Sequence, residues 1–129
     1  MDAAKASDAI SAAFAAQRAK VETRRLGFGY AERRAALERL LAAVRQNEAA
    51  IVAALKADFD KPEAETILSE ILPVALDIRH ALKHLRRWMR PQRYPASLAT
   101  LGTSARVIPQ PRGVCLIISP WNYPFNLCL

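Results

Sequence analysis

Apolar residues recur through residues 8–89 at steps of three and four, the spacing that gathers them on one side of an α-helix. Over residues 8–26 the stripe is sparse: Ile10, Phe14, Val21 and Leu26, with Ser7 or Asp8 available as a cap. Gly27-Phe28-Gly29 is expected to stop this first helix, because glycine readily takes the left-handed conformation at a helix C-terminus. A denser stripe over residues 31–59 runs through Leu37, Leu40, Leu41, Val44, Ile51, Val52, Leu55 and Phe59, and charges fill the opposite face. Gln46-Asn47-Glu48 is a candidate break within it, since Asn is poor inside a helix and good at its cap. The third stripe is Ile67, Ile71, Val74, Ile78, Leu82 and Leu85, widened by Leu68, Leu72 and Leu76, and it ends near Met89. Asp60 is placed to cap this helix, with Pro62 in its first turn and Glu63 completing a capping-box-like spacing. Pro73 predicts a kink, because its ring removes one helical hydrogen bond and crowds the preceding turn.

The texture changes at Pro91. Pro91, Pro95, Gly102, Pro109, Pro111 and Gly113 punctuate short β-type runs. Residues 97–101 and 104–108 flank Gly102-Thr103 and predict a hairpin. Residues 114–118, Val-Cys-Leu-Ile-Ile, form a continuous apolar run of the kind found in a strand covered on both faces. Residues 125–129 look like the opening of an apolar helix. A doubly covered strand needs sheet neighbours, and no second parallel strand is present in the sequence. The expectation is therefore the N-terminal piece of a larger α/β protein: residues 1–94 as helices, 95–111 as a β-hairpin arm, and 112–129 as the incomplete start of another domain.

Composition narrows the function classes. The chain has 129 residues, is 52% hydrophobic and 24% charged, and carries a formal net charge of +7. These proportions belong to globular proteins, not disordered ones. The charge suits a nucleic acid or a membrane surface, or a fragment whose balancing acids lie elsewhere. His80, Lys83, His84, Arg86, Arg87, Arg90 and Arg93 crowd the end of the third helix. They read either as a phosphate-binding patch or as a solvated helix end whose cations oppose the dipole. His80 and His84 share a face but have no third ligand at a suitable spacing, so no metal site is expected. Cys115 and Cys128 form no CxxC and are expected to be small apolar core residues. No run approaches the ~20 apolar residues of a membrane helix, and the N-terminus lacks a signal-peptide core, so a cytoplasmic location is expected.

The chemistry is concentrated near Asn122. Pro120 and Pro124 bracket Trp121-Asn122-Tyr123, and each proline restrains itself and the residue before it. An amide mounted on such a turn could donate to charge developing on a substrate oxygen. It could equally bond the turn backbone, as Asn commonly does.

The run Pro111-Arg112-Gly113-Val114-Cys115-Leu116-Ile117-Ile118-Ser119-Pro120-Trp121-Asn122-Tyr123-Pro124-Phe125-Asn126 resembles the entry segment of the aldehyde dehydrogenase superfamily. Upstream, Ala57-Asp58-Phe59-Asp60-Lys61-Pro62, Glu70-Ile71-Leu72-Pro73 and Leu85-Arg86-Arg87-Trp88-Met89 resemble its class-three, fatty-aldehyde and coniferyl-aldehyde branch. The resemblance begins at about residue 20. It implies an α/β fold in which residues 112–129 enter a Rossmann-like NAD(P)-binding domain and the hairpin belongs to an arm used for subunit association. It implies oxidation of an aldehyde to a carboxylic acid with NAD or NADP, through a cysteine-bound thiohemiacetal, in a homodimer when full length. Asn122 would donate to the thiohemiacetal oxygen. Ile118, Ser119, Pro120 and Trp121 would line the nicotinamide-ribose end of the cofactor pocket, and Tyr123 would wall the substrate tunnel. The family's nucleophilic cysteine and general-base glutamate lie far downstream and match nothing here, so this chain alone is expected to be inactive. The rival from composition is a basic helical nucleic-acid-binding or interaction module.

Overall fold

The computed structural model describes residues 3–129; Met1 and Asp2, which the expected helical segment 1–94 includes, lie outside the described residues. The chain divides into two compact units, one of Met1–Gly29 with Trp88–Leu116 and the other of Tyr30–Arg87 with Ile117–Leu129.

The second unit is built by the two dense stripes. Helices α3 (Tyr30–Gln46) and α4 (Glu48–Phe59) part at Asn47, as the sequence predicts. Asn47 sits outside both helices and its side chain donates back to the Ala43 carbonyl at 2.8 Å, the local bonding that makes Asn favour helix ends. The third stripe folds as one long helical run in three parts: α5 (Glu63–Thr66), a π-turn (Ile67–Ile71) and α6 (Leu72–Trp88). Val44, Ile71, Val74 and Ile78 are buried together. Leu37, Leu40, Leu41, Ile51, Val52, Leu82 and Phe125 pack around them. The widening residues Leu68, Leu72 and Leu76 are exposed, so the buried face is narrower than expected.

Two local expectations at the third helix are corrected. Asp60 does not cap its start. Asp60 adopts the left-handed conformation (φ 54°) and closes α4, donating its backbone N–H to the carbonyls of Leu55 and Lys56. Asp tolerates this conformation better than most residues, because its short polar side chain bonds locally. The distortion expected at Pro73 appears just before it as the π-turn, where the N–H of Leu72 reaches the carbonyl of Ile67. Proline cannot donate to the carbonyl four residues earlier, so the helix relaxes into the wider turn.

The first unit contains α1 (Ala3–Arg18), α2 (Val21–Gly27), and a two-stranded antiparallel sheet of β1 (Gln92–Tyr94) and β2 (Ala105–Val107). The expected single first helix is thus split near residues 19 and 20. It ends after Gly27 with Phe28 at φ −93°, not on a left-handed glycine. The hairpin forms with its second strand as expected, β2 lying within residues 104–108, but its first strand is β1 and not residues 97–101. The register pairs Gln92 with Val107, Arg93 with Arg106 and Tyr94 with Ala105. Residues 98–100 are a 3₁₀ turn. There Ser97 Oγ and the Ser97 N–H both meet Thr100 Oγ1, at 3.0 and 2.9 Å. These side-chain bonds compete with a ladder and pull the expected first strand into the loop.

Residues 114–118 form no strand, and Leu116, Ile117 and Ile118 are exposed. A strand has no hydrogen bonds of its own and must borrow them from a neighbour, and no described residue pairs with this run. Cys115 and Cys128 are accordingly free and exposed, contrary to the expected burial.

Candidate functional site

The turn that carries Asn122 belongs to the second unit and is held from beneath by a buried ion pair. Closure of α4 at Asp60 delivers Lys61 into the interior, where it is 4% exposed. Two turns along the next helix stands Glu70, 0% exposed. Lys61 Nζ donates to Glu70 Oε1 at 2.6 Å. Glu65 Oε1 lies 4.0 Å from the same ammonium but is half exposed, so Glu70 is the dominant partner.

The other oxygen of Glu70 reaches the turn: Oε2 accepts the backbone N–H of Asn126 at 2.9 Å. The Asn126 side chain donates through Nδ2 to the Ser69 carbonyl at 3.0 Å. Ser69 is the carbonyl that Pro73, four residues on, has no N–H to satisfy. Lys61 Nζ lies 4.3 Å from the centroid of the Tyr123 ring, close enough for cation–π attraction. It also makes a long contact to the Asn122 carbonyl at 3.5 Å. Phe125 packs against the core. The N–H of Leu127 bonds the Tyr123 carbonyl at 3.1 Å, closing a single helical turn where an opening helix was expected.

Asn122 itself projects into solvent. Among the described residues its side-chain amide has no hydrogen-bond partner, so the turn-backbone bond that composition allowed is not made. Trp121 is 89% and Ile118 84% exposed; Pro120 is exposed and Ser119 half-buried. Trp121, Asn122 and Tyr123 form one wall of an open cleft of about 460 Å³, and Phe59, Asp60, Lys61, Pro62 and Glu65 form the other. The arrangement offers an unoccupied amide donor at a cleft edge, on backbone that is tied down at several points.

Sequence reasoning singled out the turn but missed Lys61, Glu70 and Asn126 as its supports. One signal was available. Glu70 stands three residues after Ile67 and four before Val74, a charged residue within the apolar register. Such a residue is rarely buried unless paired.

Arg86 lies over the Tyr30 ring at 5.2 Å. His80 and His84 stack at 4.1 Å, and His84 Nδ1 lies 2.9 Å from the His80 carbonyl. No group of three potential metal ligands occurs among the described residues, and no helix among them is long and apolar enough to cross a membrane.

Comparison with known proteins assigns the class. The model of the aldehyde dehydrogenase family matches residues 1–129, and the chain belongs to that family. It is 44% identical over 93 residues to an aldehyde dehydrogenase of Craterostigma plantagineum, covering 72% of this chain and 19% of that protein. It is 42% identical over 101 residues to aldehyde dehydrogenase family 3 member H1 of Arabidopsis thaliana, covering 78% of this chain and 21% of the relative. It is 39% identical over 85 residues to a probable coniferyl aldehyde dehydrogenase of Pseudomonas aeruginosa, covering 65% and 18%. The chain therefore spans about a fifth of the length of these relatives.

Proposed function

We propose that this chain supplies the Asn122 amide to an enzyme that oxidises aldehydes to carboxylic acids with NAD or NADP. The observation that carries the proposal is the Asn122 side chain, unpartnered at a cleft edge on a backbone fixed from below. In that enzyme a cysteine outside this chain adds to the aldehyde carbon, and negative charge builds on the former carbonyl oxygen. The Asn122 Nδ2–H₂ group donates to that oxygen. Because the amide is already placed, little reorganisation is needed as the charge develops. Tyr123, on the same wall, borders the path of the aldehyde.

Residues 118–121 fit the nicotinamide-ribose end of the cofactor. Their backbone lies outside any helix or strand, and Ile118 and Trp121 present apolar surface to solvent. Bound there, NAD or NADP would supply the acceptor for a hydride from the substrate carbon. The remaining parts of the proposal are the homodimer with the hairpin in its subunit contact, a Rossmann-like domain begun by residues 112–129, and a cytoplasmic setting. The homodimer and the Rossmann-like domain rest on the family resemblance, and the cytoplasmic setting on the expectation from the sequence.

The test is Asn122→Ala in an active enzyme that carries this chain. Loss of one such donor lowers kcat by roughly 10²–10³-fold, with little change in cofactor KM. Unchanged turnover removes Asn122 from the chemistry. The 129-residue chain alone, mixed with NAD and a panel of aldehydes, yields no NADH absorbance.

A further inference from the structure

We infer that the buried Lys61–Glu70 pair is the positioning device for Asn122, resting on the proposal that Asn122 is the donor amide. The contacts divide cleanly between function and support. Glu70 uses one oxygen for Lys61 (2.6 Å) and the other for the Asn126 N–H (2.9 Å). Lys61 in turn faces the Tyr123 ring and the Asn122 carbonyl. Asn126 Nδ2 and the Phe125 ring add a bond to Ser69 and a seat in the core. Every anchor falls on the main chain or neighbours of Asn122, and its side chain is left free to meet a substrate.

A buried ion pair is a poor choice for stability alone, since an apolar replacement of similar volume is often as stable or more so. It supplies directional bonds instead, and charge-assisted bonds are short and geometrically specific. The π-turn over Ile67–Ile71 contains Glu70, and Pro73 leaves the Ser69 carbonyl short of a helical donor for Asn126 to replace. The helix irregularity and the turn beside it therefore belong to one arrangement. Lys61 and Glu70 touch neither substrate nor cofactor; they act through Asn122.

Two double variants separate this role from bulk stability. Lys61→Met with Glu70→Gln removes both charges but keeps an oxygen for the Asn126 N–H. Lys61→Met with Glu70→Leu removes the charges and the acceptor. In the 129-residue chain, amide exchange at Asn126 stays slow in the first and accelerates in the second. In the active enzyme, the first, which loses the ammonium facing Tyr123 and the Asn122 carbonyl but keeps the acceptor, lowers kcat only a few-fold. The second lowers kcat by roughly 10–100-fold, the range for a reacting group displaced by about 1 Å, while cofactor KM holds. Asn126→Ala leaves the buried pair intact and removes only the bond to Ser69; it lowers kcat several-fold with the same split, and serves even where the Leu variant does not fold. Equal Asn126 exchange in the two double variants, equal kcat in them, or unchanged kcat in Asn126→Ala overturns the inference. A normal rate in Asn122→Ala overturns the donor assignment instead, and the exchange difference then reports the lock separately.

Discussion

Replacing Lys61 alone by Met leaves the Glu70 carboxylate fully enclosed, with the Asn126 N–H as its remaining close donor. Breaking a buried pair by removing one partner costs about 3–5 kcal/mol, because the surviving charge is uncompensated. The retained Asn126 bond places this case near the lower end, about 3 kcal/mol. Domains of this kind have a total stability of about 5–15 kcal/mol, and for a chain of 129 residues each kcal/mol moves Tm by roughly 3–5 °C. Lys61→Met is therefore expected to melt roughly 9–15 °C below the parent. Adding Glu70→Gln removes the stranded charge and keeps the acceptor, but buries an amide N–H₂ facing Met, so the double variant should recover only about 1–2 kcal/mol of the loss. Urea unfolding followed by far-ultraviolet circular dichroism reads both, provided the slope stays constant between variants. Additive losses in the double variant, or a Lys61→Met midpoint equal to the parent's, would refute the coupling.

Two further outcomes follow from burial. Thr66 is fully buried and its Oγ1 has no hydrogen-bond partner among the described residues, so Thr66→Val should be neutral or stabilising by up to about 1–2 kcal/mol in the same unfolding assay; a loss of stability would mean that the hydroxyl has a partner. Ile78 lies in the core whereas Ile118 is 84% exposed. Ile78→Ala should accordingly cost about 2–5 kcal/mol and Ile118→Ser less than about 0.5 kcal/mol in the isolated chain, and comparable losses at the two sites would contradict the exposure of residues 114–118.

Helix positions and the break at Asn47 were legible because they depend on local rules: a three-and-four-residue apolar period, Asn at a boundary, Pro73 disturbing the turn before it. The hairpin was legible in its second strand but not in its first. Its strands are residues 92–94 and 105–107, because Ser97 and Thr100 satisfy each other locally and take the expected first strand out of the ladder. Residues 114–118 carry the apolar pattern of a strand, but strand formation depends on neighbours the pattern does not contain.

Asn122 could be named from the sequence, since two flanking prolines and the family resemblance both fall on contiguous residues. Its supports could not. Lys61, Glu70 and Asn126 are separated by up to 65 positions in the numbering, and although each lies in a segment that carries the family resemblance, nothing local says that they meet; Glu70 alone stands out, as a misfit in an apolar register. Whether that misfit is a solvated edge or a buried charge depends on what faces it. Tertiary folding decided the matter by bringing an ammonium to one carboxylate oxygen and a backbone N–H to the other. Family, helices and the candidate donor were thus determined by residue order alone. The orientation of that donor is a property of contacts between distant segments, which local pattern does not encode.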